Sequence, residues 1–135
     1  VRTADSSVLV AALATWHEYH RVALTAVERL DCLVPHTLVE TFAVLTAMRP
    51  PSRSPVPQVR EALCDLRARH TPLDQTVEAY EEAMEVVQRS GRSGGAVYDA
   101  LIARIAARAG AALVTLDDRA RSIYLAADVH VEPLD

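Results

Sequence analysis

Short β-like pieces separated by longer helical segments constrain this 135-residue chain more than any other feature. The β-like pieces fall at residues 2 to 4, at "CLVP" (32 to 35), around "TPL" (71 to 73), at "ALVT" (112 to 115) and at "DVHVEPL" (128 to 134). Between them, "EYHRVALTAVERL" sets Val22, Ala26 and Arg29 on one stripe and Leu24, Val27 and Leu30 on another. "HTLVETFAVLTAM" spaces Leu38, Phe42 and Leu45 by four and three. Both periodicities are those of helices packed on a sheet. Strands alternating with crossover-length helices require a parallel sheet covered on both faces. The expected fold class is therefore α/β: helix-rich, three-layered α/β/α, with a short, mainly parallel sheet of four to five strands.

The remaining segments fit one compact unit. "RPPSRSPVP" (49 to 57) reads as a proline-rich loop leading into the helix "QVREALCDLRARH". "DQTVEAYEEAMEVVQRSG" reads as an acidic, largely exposed helix stopped at Gly91, and Ser93 as the cap of "AVYDALIARIAARAG", which ends at Gly110. The length suits a single domain over residues 1–135. No apolar run approaches the ~20 residues a membrane span needs, and the start lacks the basic, apolar and cleavage segments of a signal peptide. The expected location is the cytoplasm, away from membranes, with Cys32 and Cys64 as buried free thiols.

A net charge of -4 argues against a phosphate-binding partner only at first sight. Every basic residue is Arg, and a cluster of acids that holds cations lowers the total just as a non-binding surface does.

Four acids stand in unexpected places. Asp5 ends the first strand and Asp117 the fourth, at the carboxyl edge where parallel α/β sheets carry their sites; each also suits a helix N-cap. Glu40 lies about one turn into a helix beside Val39, Phe42 and Val44. Asp99 is surrounded in sequence by Val97, Tyr98, Ala100, Leu101 and Ile102. An unpaired buried carboxylate costs several kcal/mol by order of magnitude, so it is paired, protonated or bound to a metal. Pairing of Asp99 with Arg104 or Arg92 explains one residue but not the set. Four carboxylates converging on one pocket repel one another unless cations neutralise them, and oxygen-only ligands suit Mg²⁺ or Mn²⁺.

In order and spacing, "ADSSVLVAAL", "LVPHTLVETFAVLT", "SGGAVYDALIA" and "LVTLDDRA" resemble the four acidic motifs of PIN-domain proteins, most closely the VapC-type toxins of toxin–antitoxin pairs. The likeness runs from Arg2 to about Leu134. It implies a PIN-like fold and a Mg²⁺- or Mn²⁺-dependent endoribonuclease acting on structured RNA such as tRNA or rRNA. It also implies a cognate VapB-like antitoxin and a homodimer. Carried over position by position, Asp5, Glu40, Asp99 and Asp117 are the metal-binding and catalytic acids. Glu40 binds or orients metal-bound water, Ser7 and Thr115 support the ligands, and Asp118 is a reserve ligand. Arg92, Arg119 and Arg121 are candidate RNA contacts.

"WHEYH" (16 to 20) also resembles a segment of that group. His17 and His20 are three apart, without the spacing of a zinc-protease motif, and read as surface or interface positions, with RNA contact as the alternative. A phosphorylated receiver domain would need a lysine, and the chain has none. A haloacid-dehalogenase-type phosphatase would need Asp where Ser7 stands. The alternative of another class is a PIN-fold module that binds RNA or an antitoxin without cutting.

Overall fold

In the computed structural model, which describes residues 1–134, the elements follow in the order β1 (Arg2–Ala4), α1 (Ser6–Leu13), α2 (His20–Glu28), β2 (Cys32–Leu33), α3 (Pro35–Ala47), α4 (Val56–Arg69), β3 (Thr71–Pro72), α5 (Val77–Arg89), α6 (Ala96–Arg108), β4 (Ala112–Thr115), α7 (Arg121–Ala126) and β5 (Val131–Pro133). All strand pairs are parallel. β1 pairs with β4 (Thr3 opposite Leu113) and β4 with β5 (Val114 opposite Glu132), while β2 and β3 form a separate two-stranded ribbon. The Asp31 N–H donates to Arg2 O at 3.0 Å and the Thr3 hydroxyl to Cys32 O at 3.0 Å, and these bonds hold the ribbon against β1.

Strand pleating divides the core. Successive strand side chains point to opposite faces, so Leu113 joins a cluster with α5, α6 and α7, and Val114 joins one with α1 to α4. Helices therefore cover both faces. On α2 the buried positions are Ala23 and Val27, continued by Leu30 just past its end, whereas Val22 and Leu24 are exposed; the two stripes expected there collapse to one. On α3 the buried positions are Thr37, Thr41 and Leu45, with Leu38 and Phe42 only partly covered.

Helix ends explain the other departures. β2 stops at Leu33 because Pro35 starts α3, a position where its missing N–H costs nothing. α4 begins at Val56, inside the stretch read as loop. Thr76 caps α5 by accepting from the Ala79 N–H at 3.2 Å, whereas Ser93 caps nothing, because α6 starts from Gly95 without a side-chain cap. α5 ends in a paired motif: the Arg92 N–H reaches Val87 O at 3.1 Å and the Gly91 N–H reaches Gln88 O at 3.1 Å. That closure needs the left-handed φ of +65° at Gly91. Cys32 is buried, but Cys64 lies on the outer face of α4 and is exposed; both are free thiols.

β1 is followed through α1 and α2 by β2 on one side and is paired with β4 on the other. The direction of winding reverses between β1 and β4, the crevice in which open parallel sheets bind ligands. Asp5 and Asp117 follow these two strands.

Candidate active site

Asp5 leaves the end of β1 with its N–H bonded to Val114 O at 3.1 Å, and is 2% exposed. It is the N-cap of α1: Oδ1 accepts the Ser7 N–H at 3.1 Å and also the Ser7 hydroxyl. Oδ2 accepts the Thr115 hydroxyl and the Tyr124 hydroxyl, the latter at 2.7 Å. The Leu116 N–H donates to Ser7 Oγ and the Asp117 N–H to Thr115 Oγ1, both at 2.9 Å. Each hydroxyl thus accepts from the turn after β4 and donates to Asp5, which fixes both rotors. Burial raises the Asp5 pKa, and the hydroxyls of Ser7, Thr115 and Tyr124 oppose that rise.

Among the described residues, no arginine forms a salt bridge with any of the other three acids. The Glu40 pKa is pushed up to about 7 by burial, then by the charges of Asp99 and Asp5. Asp99 is pushed up to about 6 by burial, then by Asp117 and Asp5, with Arg92 pulling the other way. The charge of Asp5 thus reaches both Glu40 and Asp99, and that of Asp117 reaches Asp99, so β1, α3, α6 and the turn after β4 bring their acids to one crevice. Arg104, considered as a partner of Asp99, instead donates to Glu82 at 3.0 Å and to Ala127 O at 2.7 Å. Asp117 Oδ1 accepts the Arg119 N–H at 2.9 Å. Asp118 points into solvent, its side chain 95% exposed, and Arg121 turns toward it at 3.8 Å, so neither joins the acid group. Arg92 reaches Ser122 Oγ at 3.4 Å. His20 Nδ1 contacts Ala11 O at 3.0 Å, whereas His17 lines a cleft that also includes Ser7 and Asp117.

The PIN domain family model matches residues 3–125. The chain belongs to the PIN-domain family. It is 40% identical over 129 residues to Ribonuclease VapC40 of Mycobacterium tuberculosis, with 95% of each chain covered. It is 34% identical over 128 residues to Ribonuclease VapC27 of the same organism, covering 94% of this chain and 92% of that one. VapBC2 from Rickettsia felis, solved bound to a DNA fragment from their promoter, superposes with a TM-score of 0.68 at 17% identity, over 99% of this chain and 98% of that one. At that identity the likeness is one of fold.

A PIN-type site raises the question of a cation. Among the described residues, no three His, Cys, Asp or Glu side chains form a ready-made ligand cluster. Yet the donor set is all oxygen, and Glu40 Oε1 is buried with no hydrogen-bond partner. Mg²⁺ takes few protein carboxylates and keeps several waters, so spaced carboxylates around a wet crevice fit it better than a closed cage would.

Three residues of this PIN site were missed from the sequence. Tyr124 is 1% exposed, and its hydroxyl pKa is raised by burial and by Asp5; its only sequence signal is a phenol inside the apolar run "SIYLAA". Ser6 lies beside Glu40 and moderates its raised pKa. His36 stacks on Tyr98 with ring centroids 5.5 Å apart, and its Nε2 lies 3.9 Å from Glu40 Oε2. Its i,i+4 spacing from Glu40 was the available signal.

Proposed function

We propose that residues 1–135 act as one PIN domain, the ribonuclease toxin of a VapBC-like toxin–antitoxin pair, which cuts structured RNA such as tRNA or rRNA. The observation carrying this reading is the convergence of four carboxylates at the crevice between β1 and β4, three of them with raised pKa values, in a chain 40% identical to Ribonuclease VapC40. A cognate antitoxin and a homodimer complete the reading, and the cytoplasm is where its substrate lies. No helix among the described residues is long and apolar enough to cross a membrane.

Asp5, Glu40, Asp99 and Asp117 are the residues that would hold Mg²⁺ or Mn²⁺. A divalent ion in such a site supplies Lewis-acid polarisation of the phosphate and an acidified water. The chain's own groups do the rest. Asp5 already accepts four hydrogen bonds, so its use as a ligand exchanges one of them. Ser7 and Thr115, each tied to a backbone N–H, keep the remaining geometry. Glu40, whose Oε1 is buried with no hydrogen-bond partner, binds or orients the attacking water. Arg92 and Arg119 pair with phosphate oxygens flanking the bond that breaks.

The test is incubation of purified, partner-free protein with a total RNA pool and Mg²⁺ or Mn²⁺, followed by mapping of the new 5′ ends. Discrete new ends that vanish in Asp99→Asn support the reading. RNA that is bound but never cut under either metal identifies a non-catalytic module instead.

A further inference from the structure

The chain has a single Trp, and it lies in the six-residue connection between α1 and α2, with His17 and Tyr19 beside it. Trp16 and Tyr19 are 49% and 47% exposed, although nothing in the packing of α1 on α2 requires aromatic rings there. The three rings form a ledge: Trp16 and His17 centroids are 5.8 Å apart, and those of His17 and Tyr19 are 6.0 Å apart. The ledge is held in shape by its own backbone, since His17 Nδ1 accepts the Tyr19 N–H at 3.1 Å. In the neutral ring this leaves the proton on Nε2, a donor directed away from that bond.

The ledge opens onto the acids. His17 and Tyr19 line a cleft of about 430 Å³ together with Ser7 and Asp117, both part of the acid crevice, and Arg119; Trp16 flanks His17 outside that lining. Glu18 also lines the cleft and supplies an acceptor. One cleft therefore carries flat aromatic faces, a guanidinium suited to phosphate, and donor and acceptor groups for a base edge, in direct continuity with the proposed site of phosphodiester cleavage. A paired base has its faces covered by its neighbours, so such a ledge selects a nucleotide that is unstacked and splayed out.

We propose that His17 and Tyr19, flanked by Trp16, form a base-binding subsite that seats one unpaired nucleotide next to the scissile phosphate. The inference rests on the ribonuclease reading and adds the residues that seat the base. Arg119 anchors the phosphate beside that nucleotide, and the base lies against Tyr19 with Trp16 as the outer edge of the platform.

Because Trp16 is the sole tryptophan, its emission reports on this ledge alone. The experiment titrates the Asp99→Asn protein with three short RNAs of one sequence: single-stranded, annealed into a full duplex, and single-stranded with one abasic ribose at the mapped cut site. Fluorescence anisotropy of an end label reports total binding. Quenching by the intact single strand, but not by the duplex or the abasic strand, is the expected result. In the cleavage assay, Tyr19→Ala and Trp16→Ala in the otherwise wild-type chain lose roughly 5- to 100-fold in kcat/KM on the intact strand. Both lose little on the abasic strand, and Tyr19→Phe retains activity. Equal cleavage by wild type and Tyr19→Ala, or binding without quenching, overturns the subsite and leaves the ribonuclease reading standing. A wild-type protein that cuts no RNA removes the ribonuclease reading itself. If Tyr19→Ala cuts normally but no longer binds the antitoxin, the ledge belongs to the protein partner and the proposal fails.

Discussion

Glu82 and Glu40 are both helix glutamates beside the core, and the chain treats them in opposite ways. Glu82 on α5 receives Arg104 at 3.0 Å and Arg108 at 2.6 Å, both from α6. Burial is the largest single influence and raises its pKa, but the bond and charge of Arg104 and the charge and bond of Arg108 together outweigh it and hold the carboxyl below its usual range. Glu40 on α3 faces two other carboxylates, has one oxygen with no hydrogen-bond partner, and is pushed up to about 7. Two nearby arginines are used elsewhere, Arg104 on Glu82 and Ala127 O and Arg121 toward Asp118, and Arg92 pulls on Asp99 without forming a salt bridge to it. An acid ringed by arginines joins two helices, whereas acids gathered without them leave an electrostatic demand that a cation can meet.

The largest expected effect breaks the crevice side of this comparison. Asp5→Asn, Asp99→Asn and Asp117→Asn each lower RNA cleavage by about 10³-fold or more, the scale on which catalytic-group removals act. All three remain folded by circular dichroism. Asp5→Ala additionally leaves the buried Thr115 and Tyr124 hydroxyls without their acceptor, so it also loses about 1–3 kcal/mol of stability in urea unfolding.

Breaking the other side has the reverse signature. Arg104→Ala removes the bond to Glu82 and the one to Ala127 O, and is expected to cost about 1–2 kcal/mol in urea unfolding while RNA cleavage stays at the wild-type rate. A loss of cleavage in this variant at full folding would blur the division between the two regions.

The pH dependence of stability sharpens the comparison further. Groups whose folded pKa is raised, as for Glu40 and Asp99, contribute stability that is complete below their unfolded values near pH 4 and is lost as pH rises through about 6 to 7. Glu82, held low, contributes stability that is present above about pH 4.5 and is lost as pH falls through its folded value. In metal-free buffer, the difference in melting temperature between wild type and Glu40→Gln/Asp99→Asn therefore moves against wild type from pH 5 to pH 8. The difference between wild type and Glu82→Gln moves in favour of wild type from pH 3 to pH 5.

The smallest effect concerns the joint that brings Arg92 to the acids. Gly91→Ala forces an L side chain into a φ of +65° and costs about 1 kcal/mol by the melting curve. A modest rise in KM for RNA accompanies it, because Arg92 follows directly in the chain.

Much of this was legible in the sequence, for local reasons. The strand positions follow from β-rich pieces bounded by turn residues, and all four acids were conspicuous because each lies beside apolar neighbours or at a strand end. What could not be read was decided by partners far along the chain. Tyr124 bonds to Asp5 across 119 residues, and no local pattern encodes that contact. Ser93 has the chemistry of a cap, but the chain enters α6 from Gly95 in a helical conformation, leaving Ser93 outside the first turn. The α2 stripes misled because Val22 and Leu24 are apolar yet lie on its outer side. Asp118 and Asp117 are indistinguishable as residue types; only the turn, with the Asp117 carboxylate accepting the Arg119 N–H, aims one inward and the other into solvent.

The central claim is that the crevice acids form one cation-binding unit, and Mn²⁺ binding followed by electron paramagnetic resonance of the free ion tests it without reference to activity. Wild-type protein is expected to remove Mn²⁺ from solution in a saturable way at pH 7.5, Glu82→Gln to do so equally, and Asp5→Asn and Asp99→Asn to lose at least ten-fold in affinity. Equal Mn²⁺ binding by wild type and both crevice variants would contradict the account.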